Sequence, residues 1–208
     1  MATKSRCTWC QSHDIYIDYH DKEWGIPCYD SRELFENLCL EGAQAGLSWL
    51  TILNKRENYR RLFAEFDPVK MARFTDARQA KLLEDAGIVR NRLKVSAFVT
   101  NAKSYLKMQQ DGEDFAEFIW SFVDHRPQQN HLASMQDCPS STSISDAMSK
   151  ALKKKGFKFV GSTICYAFMQ ASGLVNDHTL DCFRHAPTQR KAASRYMPPG
   201  WPGKARGR

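Results

Sequence analysis

LCLEGAQAGLSWL, residues 38–50, sets one carboxylate, two glycines, an amide and an indole within an otherwise apolar run. The apolar residues before it recur at helical spacing, and glycines are unfavourable inside a helix, so we predict a helix that ends near Glu41. Ser48 can cap a second helix, which would place Glu41 and Trp49 across a flexible elbow. Such a gap suits a flat polar ring. The ordinary alternative is a kinked core helix with Glu41 in solvent.

The composition predicts a single soluble, cytoplasmic domain. The chain has 208 residues, which is enough for one full domain and too few for two. It shows neither the pattern of a signal peptide nor an apolar run long enough to span a bilayer. Its seven cysteines form an odd set without an export signal, so we expect metal ligands or buried thiols rather than a disulfide framework.

The positive charge lies at the C-terminal end of the chain. The formal net charge is +7, and seven basic residues with no acids follow Asp181. These residues are Arg184, Arg190, Lys191, Arg195, Lys204, Arg206 and Arg208. Because they account for the whole net charge, we predict a neutral domain over residues 1–183 and a basic, disordered tail over residues 184–208.

The body of the chain predicts helices and no strands, because no segment shows sustained alternation of apolar and polar residues. Residues 1–29 are rich in aromatic residues, Cys and His but lack clean periodicity, so we expect an irregular segment there. A capping-box pattern from Asp30 to Glu33 begins the helix that leads into Glu41. We expect further helices over residues 48–63, 75–86, 91–108 and 114–123, a short one from Asp67, and a loop over 126–142. The predicted fold class is all-α.

Residues 145–173 have the pattern of two helices joined by a tight turn. The helices are expected over residues 147–155 and 162–171, with a glycine at each side of the turn. This pattern resembles the helix-hairpin-helix of DNA repair enzymes, in which backbone amides at a helix N-terminus favour a phosphate. The DNA-binding residues expected here are Lys158, Gly161, Ser162 and Thr163. An ordinary helical hairpin with a solvated lysine run is the alternative.

Cysteines and histidines at both ends of the body form a candidate metal site. His178 and Cys182 are four residues apart, which on a helix puts both on one face as two tetrahedral zinc ligands. The N-terminal segment offers Cys7, Cys10 and His20, so the remaining pair is either both cysteines or one of them with His20. A zinc ion that joins the two ends would order the aperiodic N-terminus. Buried thiols and surface histidines are the alternative.

Several ordered segments resemble the 3-methyladenine DNA glycosylase I family, a constitutive bacterial alkylation-repair enzyme. They are CTW (7–9), YIDYHDKEWG (16–25), LEGAQAGLSW (40–49), KRENY (55–59), FKFVG (157–161) and LVNDH (174–178). The resemblance spans about residues 5 to 182, and the tail beyond it departs from the pattern. It implies a helix-hairpin-helix DNA glycosylase-like domain that acts as a monomer. The implied activity is base-excision repair of double-stranded DNA, by hydrolysis of the N-glycosidic bond of 3-methyladenine without strand cleavage.

The resemblance also implies roles for individual residues. It implies a single structural zinc ion held by Cys7, His20, His178 and Cys182, which decides against Cys10. Glu41 and Tyr19 are implied to hold the base, with Glu41 as the catalytic residue and Trp49 as the stacking partner. Further aromatic walls are implied at Trp9, Tyr16 and Trp24.

The implied chemistry requires that the damaged base leave the duplex, at a free energy of a few kcal/mol. Adenine methylated at N3 is cationic, which makes it a good leaving group and a suitable guest for aromatic faces and a carboxylate. Gln44 and Leu47 lie on the elbow and are expected to fill the gap in the DNA. Asp177 and Asp181 lie where related enzymes place an aspartate that orients water, but partners of the metal-binding histidine or solvated acids are the more ordinary interpretation.

Two other function classes are compatible with parts of the sequence. One is a lesion sensor with a zinc-bound helical fold and no turnover, against which the set of Glu41, Tyr19 and Trp49 argues. The other is a nucleic-acid binder that depends on the basic tail.

Overall fold

The fold consists of helices joined by short turns and by two longer segments, residues 121–142 and 172–184, in a computed structural model that describes residues 4–194, with side chains to residue 190. The helices are α1 (Asp14–Lys22), α2 (Ser31–Gln44), α3 (Trp49–Leu53), α4 (Arg56–Leu62), α5 (Pro68–Met71), α6 (Asp76–Leu82), α7 (Arg92–Gln110), α8 (Phe115–Trp120), α9 (Ser143–Lys154), α10 (Ser162–Ala171) and α11 (His185–Ser194). Short 3-10 turns lie at Thr8–Cys10, Ala64–Phe66, Ser121–Val123 and Met135–Asp137. In the part of the chain described, every helix is too short or too polar to cross a membrane.

The mostly helical architecture confirms the predicted fold class, with one small addition. Strands β1 (Gln128–Gln129) and β2 (Val175–Asn176) pair in parallel over two residues each. This pairing joins the loop before α9 to the segment after α10. It thereby fixes the backbone that leads into residues 177–182.

Helix α2 is the central element of the fold. It packs against α3, α7, α8 and α10. Leu34, Phe35 and Leu38 on this helix are fully buried in the main hydrophobic cluster. A second, smaller cluster joins the two ends of the described chain and contains Cys7, Tyr19, Trp24, Leu53 and Cys182.

The prediction that the first helix ends near Glu41 is wrong, because α2 continues to Gln44. A Cβ atom at Gly42 would lie 3.2 Å from both Cβ and the carbonyl oxygen of Phe159. Gly42 therefore permits close packing between α2 and the turn before α10, and does not end the helix. The chain turns at Gly46, where φ is +77°.

The N-terminal segment is more regular than its sequence predicts. Residues 14–22 form α1, in which only Tyr19 and His20 are buried. A helix that buries an aromatic ring and an imidazole lacks the apolar stripe on which the prediction depends. The expected second helix over residues 48–63 is also interrupted, between α3 and α4.

The predicted tail from residue 184 begins too early. Residues 185–194 form α11, with His185 and Thr188 buried. His185 Nε2 lies 3.1 Å from the carbonyl oxygen of Asn130, and the side-chain amide of Asn176 donates to the His185 carbonyl at 3.2 Å. The helix is therefore part of the domain, and residues 195–208 of the predicted tail lie outside the described residues.

A buried lysine fixes the end of α2. Lys94 is 7% exposed, and its Nζ donates to the carbonyl oxygens of Ala43 and Ala45 at 2.7 Å each. Burial lowers the pKa of this ammonium group from its usual value. A cation at a helix C-terminus satisfies carbonyls that have no partner within the helix.

We expect Lys94→Met to lower the free energy of unfolding by about 1–3 kcal/mol, because two carbonyl oxygens lose a charged donor. Lys103→Met, on the exposed face of α7, the helix that also carries Lys94, is the matched control. We expect it to change the free energy of unfolding by less than about 0.5 kcal/mol. Urea denaturation of both variants measures the difference. Equal stabilities would show that the Lys94 ammonium does not hold the end of α2.

Candidate active site

A cavity of about 340 Å³ lies between the N-terminal segment, α2, α3 and α10. Its lining residues are Trp9, Tyr19, Trp24, Glu41, Gln44, Trp49, Met135, Cys138, Ala167 and Gln170. Most of the wall is aromatic or apolar, with a few polar groups among these side chains. That combination is typical of a site for a flat organic ligand.

Glu41 points into the protein and not into bulk solvent. The residue is 4% exposed, and its Oε2 has no hydrogen-bond partner among the described residues. Burial raises the pKa of this carboxyl group to about 8. An acid with a raised pKa and an unpaired oxygen in a cavity is a candidate to accept a proton or a hydrogen bond from a ligand.

Aromatic rings form much of the cavity wall. The rings of Tyr19 and Trp49 are 5.5 Å apart and tilted by 48°. Trp9 lies 5.1 Å from Trp24 and 6.3 Å from Tyr19, in edge-to-face contacts. Burial, followed by the nearby Glu41, raises the pKa of the Tyr19 hydroxyl well above its usual value. Tyr19 is therefore a neutral phenol that can donate a hydrogen bond.

Tyr16, expected as a further wall, lies behind Trp9. The two rings meet edge to face at 5.4 Å. The Tyr16 hydroxyl accepts a hydrogen bond from the backbone N–H of Leu50 at 2.7 Å. Tyr16 therefore connects α1 to the start of α3 and supports Trp9.

The two residues expected to enter the DNA differ in their positions. Gln44, at the end of α2, lines the cavity. Leu47 lies on the turn that follows and is 41% exposed. The structure thus puts the amide at the cavity and the leucine on the adjoining surface.

Four lining residues carry no recognisable motif in the sequence and were not predicted: Met135, Cys138, Ala167 and Gln170. The first two come from the segment predicted as a plain loop. The other two lie three residues apart on α10 and so share a helical face. No motif marks any of them, and the helical spacing of the α10 pair is the only available indication.

Neither Asp177 nor Asp181 lines the cavity. Asp177 is buried and accepts hydrogen bonds from the Tyr166 hydroxyl at 2.7 Å and the Asn130 amide at 2.6 Å. Asp181 is exposed and accepts from the Ser5 hydroxyl at 2.7 Å.

A buried group of two cysteines and two histidines could hold a metal ion. Its members are Cys7, His20, His178 and Cys182, and their ligand atoms lie within 4.8 Å of one another. Cys182 Sγ is 3.4 Å from His20 Nε2 and 3.6 Å from His178 Nδ1, and Cys7 Sγ is 3.7 Å from His178 Nδ1. Cys10 is not part of the group, since its thiol donates to the Cys7 carbonyl at 3.1 Å.

Hydrogen bonds fix the two imidazole rings of this group. His20 Nδ1 lies 2.8 Å from Asp21 Oδ1, and His178 Nε2 lies 3.2 Å from the Trp24 carbonyl oxygen. Trp24 also packs edge to face on His178 at 4.7 Å, so the metal-ligand group adjoins the cavity wall. The helical-face argument for His178 and Cys182 is wrong, because residues 178–182 form a turn that brings the two side chains together.

The α9–α10 hairpin presents its turn to the surface. Asn101 of α7 accepts from the Lys158 N–H at 2.7 Å and donates to the Lys158 carbonyl at 3.2 Å, while the Lys158 side chain is exposed. Gly161 precedes α10, and a Cβ atom there would meet open space. Thr163 is exposed, whereas the Ser162 hydroxyl lies 2.8 Å from the Ser145 hydroxyl.

Known proteins are similar to this chain in both sequence and fold. The chain is 58% identical to DNA-3-methyladenine glycosylase 1 of Escherichia coli (strain K12), over 85% of this chain and 95% of that protein. It is 54% identical to DNA-3-methyladenine glycosylase of Haemophilus influenzae, over 86% of this chain and 96% of the relative.

Solved structures agree with these relatives. A crystal structure of 3-methyladenine DNA glycosylase I has a TM-score of 0.86 at 56% identity and covers 87% of this chain and 100% of its own. The Staphylococcus aureus enzyme, whose structure concerns recognition of 3-methyladenine, has a TM-score of 0.84 at 38% identity, with coverages of 88% and 98%. The family model described as methyladenine glycosylase matches residues 9–185. The chain therefore belongs to the methyladenine glycosylase family.

Proposed function

We propose that this chain is a monofunctional DNA glycosylase of base-excision repair, which releases 3-methyladenine from alkylated double-stranded DNA. The observation that carries the proposal is the buried, unpaired Glu41 carboxyl group at an aromatic cavity. Family membership supports the same activity. A base within a duplex cannot reach such a cavity, so the proposal includes extrusion of the damaged nucleotide.

Glu41 is the catalytic residue in this proposal. The N3-methylated base is cationic, and Glu41 accepts a hydrogen bond from its edge and stabilises the positive ring. Water attacks the sugar C1′ as the bond to the base nitrogen breaks, the base leaves as a neutral molecule, and a proton from the water passes to solvent. Because the leaving group already carries the charge, little acid catalysis is required.

The aromatic residues bind and orient the base. Trp49 stacks on the ring, and Tyr19 supplies a second polar contact from its neutral hydroxyl. Trp9 and Trp24 close the remaining walls of the cavity. Stacking of this kind contributes about 1–3 kcal/mol per base, which offsets part of the free energy of extrusion.

Two surface features bind the DNA in this proposal. Leu47, exposed on the turn after α2, and the neighbouring Gln44 occupy the gap that the extruded nucleotide leaves. The hairpin turn holds a phosphate through the backbone amides that follow Gly161, with the exposed Lys158 beside it. Residues 195–208 are not needed for either contact.

We also propose that Cys7, His20, His178 and Cys182 hold one structural zinc ion. Bonds of about 2.0–2.3 Å to a tetrahedral zinc separate sulfur and nitrogen ligands by about 3.6 Å, close to the 3.4–3.7 Å found here. The imidazole partners Asp21 and the Trp24 carbonyl are those that such histidines use. The ion would tie the N-terminal segment, with its cavity residues, to the end of the domain.

We also propose a domain organisation, an oligomeric state and a location for the enzyme. We propose that the described residues form a single domain, which includes the α9–α10 hairpin and acts as a cytoplasmic monomer. We expect no strand cleavage, because the described lining residues include no lysine that could form a covalent adduct with the sugar.

We expect Glu41→Gln to lower kcat/KM for 3-methyladenine release by about 10²- to 10³-fold, because the amide keeps the shape but cannot form the carboxylate that a bound cationic base would favour. The assay measures free base released from methylated duplex. Glu33→Gln, on the exposed face of the same helix, should retain wild-type activity. A lesion sensor without turnover would instead bind methylated duplex and release no base in the wild-type protein.

Glu41 should also lower the free energy of unfolding, by an amount that depends on pH. Its pKa is about 8 in the folded protein, above the ordinary value of 4.5 that applies in the unfolded chain. The charged form is therefore disfavoured in the fold, and stability is lost as pH rises between these values.

We accordingly expect Glu41→Gln to be more stable than wild type at neutral pH. The wild-type free energy of unfolding, relative to that of Glu41→Gln, should fall by on the order of 3 kcal/mol between about pH 5.5 and about pH 8. Denaturation of both proteins across this pH range measures the difference between their free energies of unfolding. Other titrating groups contribute equally to both proteins, so their contributions cancel in this difference. A constant difference would show that Glu41 is not desolvated.

Metal analysis of purified protein tests the zinc proposal. We expect about one zinc ion per chain, lost in Cys182→Ser together with much of the thermal stability. Cys10→Ser is the matched control and should keep the ion, because the Cys10 thiol donates to the Cys7 carbonyl oxygen and lies outside the group of four ligands. Loss of zinc from the Cys10 variant alone would overturn the ligand set.

A further inference from the structure

Asp177 sits in a buried hydrogen-bond network behind the cavity wall and has no role in the chemistry above. It is 1% exposed. Its Oδ1 accepts from the Asn130 amide at 2.6 Å, and its Oδ2 accepts from the Tyr166 hydroxyl and the Gln170 amide at 2.7 Å each. Because a carboxylate can only accept, it fixes the orientation of each donor around it.

Gln170 belongs to both this network and the cavity. Its Nε2 donates to Asp177 Oδ2 at 2.7 Å and lies 3.1 Å from Cys138 Sγ, so both amide hydrogens have acceptors inside the protein. Its Oε1 makes no hydrogen bond to any described residue and is not among the fully buried unpaired atoms. Since Gln170 lines the cavity, this oxygen is an acceptor that a ligand can reach.

We propose that Gln170 is a specificity-determining residue whose Oε1 accepts a hydrogen bond from the exocyclic amine of a 6-aminopurine, and that Asp177 is the positioning residue that holds it as an acceptor. This inference rests on the proposed function and deepens it. Asparagine or glutamine amides can turn over to present either a donor or an acceptor. The network around Asp177 removes that freedom from Gln170.

The consequence is selection between N3-alkylated adenine and N3-alkylated guanine. Adenine carries an amine at C6, which donates, whereas guanine carries a carbonyl oxygen there, which accepts. Against the fixed Oε1 of Gln170, the guanine oxygen would face a second acceptor. A mismatch of this type leaves both groups unpaired, and we expect it to disfavour 3-methylguanine by about 10- to 100-fold.

Two substitutions test the proposal by different routes. Gln170→Met keeps the volume and removes both polar atoms. Asp177→Asn places a donor opposite Gln170, which allows the Gln170 amide to turn and present its N–H to the cavity. Asp181→Asn, an exposed acid nearby in sequence, is the matched control for a change of carboxylate to amide.

The measured quantity is the ratio of kcat/KM for release of 3-methyladenine to that for 3-methylguanine, from duplexes treated with a methylating agent. We expect the ratio to fall about tenfold or more in Gln170→Met and in Asp177→Asn, and to stay at the wild-type value in Asp181→Asn. A purely structural role would lower both rates together and leave the ratio unchanged. A ratio within about twofold of wild type in Gln170→Met would overturn the proposal.

Titration with free bases separates this inference from the proposed function. Fluorescence of the tryptophans around the cavity reports binding of 3-methyladenine and 3-methylguanine without turnover. If wild-type protein releases no base but prefers 3-methyladenine, and Gln170→Met loses that preference, Gln170 reads the base although the enzyme hypothesis fails. If Gln170→Met keeps the wild-type preference in this titration, the inference fails whatever the activity.

Discussion

The candidate site depends on one buried carboxyl group, that of Glu41, whose Oε2 has no hydrogen-bond partner among the described residues. Glu41 lies on the central helix, and the packing of α2 against its neighbours leaves that side chain only 4% exposed. Removal of an acid from water raises its pKa and destabilises the fold wherever the acid would otherwise be charged. A fold keeps such a group when the site needs it, and the hydrophobic cluster around Leu34, Phe35 and Leu38 supplies the stability that permits it.

The cavity wall opposite α2 is held in place by contacts with residues outside its own segment. Trp9, Tyr19 and Trp24 come from the first 24 residues, which bury little apolar surface of their own. They are tied down where Cys7 and His20 approach His178 and Cys182. The two ends of the domain thus meet beside the cavity, and the Cys/His group supports the site through Trp24, which packs on His178 and lines the cavity.

The sequence was most informative where one residue type has few possible uses. Glu41 and Trp49 were predicted to face a gap because a carboxylate and an indole interrupt an apolar run. The end of α2 was misplaced, because the reason for Gly42 is its contact with Phe159, more than a hundred residues away in sequence. Gln170 was missed since a glutamine on α10 looks like any partly exposed helix residue. Its significance depends on Asp177 and Cys138, and only the fold brings them together.

The roles of the two buried acids follow from the chemistry of the lesion. A methylated adenine already carries the charge that weakens its bond to the sugar, so the enzyme gains more from recognition than from bond activation. An aspartate beside the sugar would be needed for a poor leaving group. Here Asp177 does not line the cavity and accepts hydrogen bonds from three buried or partly buried side chains. In the proposed mechanism it acts on the substrate through the orientation of Gln170. Undamaged adenine carries the same amine, so in the proposed mechanism discrimination against it comes from the positive charge of the damaged base, which a carboxylate and aromatic faces attract. In this mechanism the positive charge distinguishes the damaged base from undamaged adenine, and the fixed Gln170 amide distinguishes adenine from guanine.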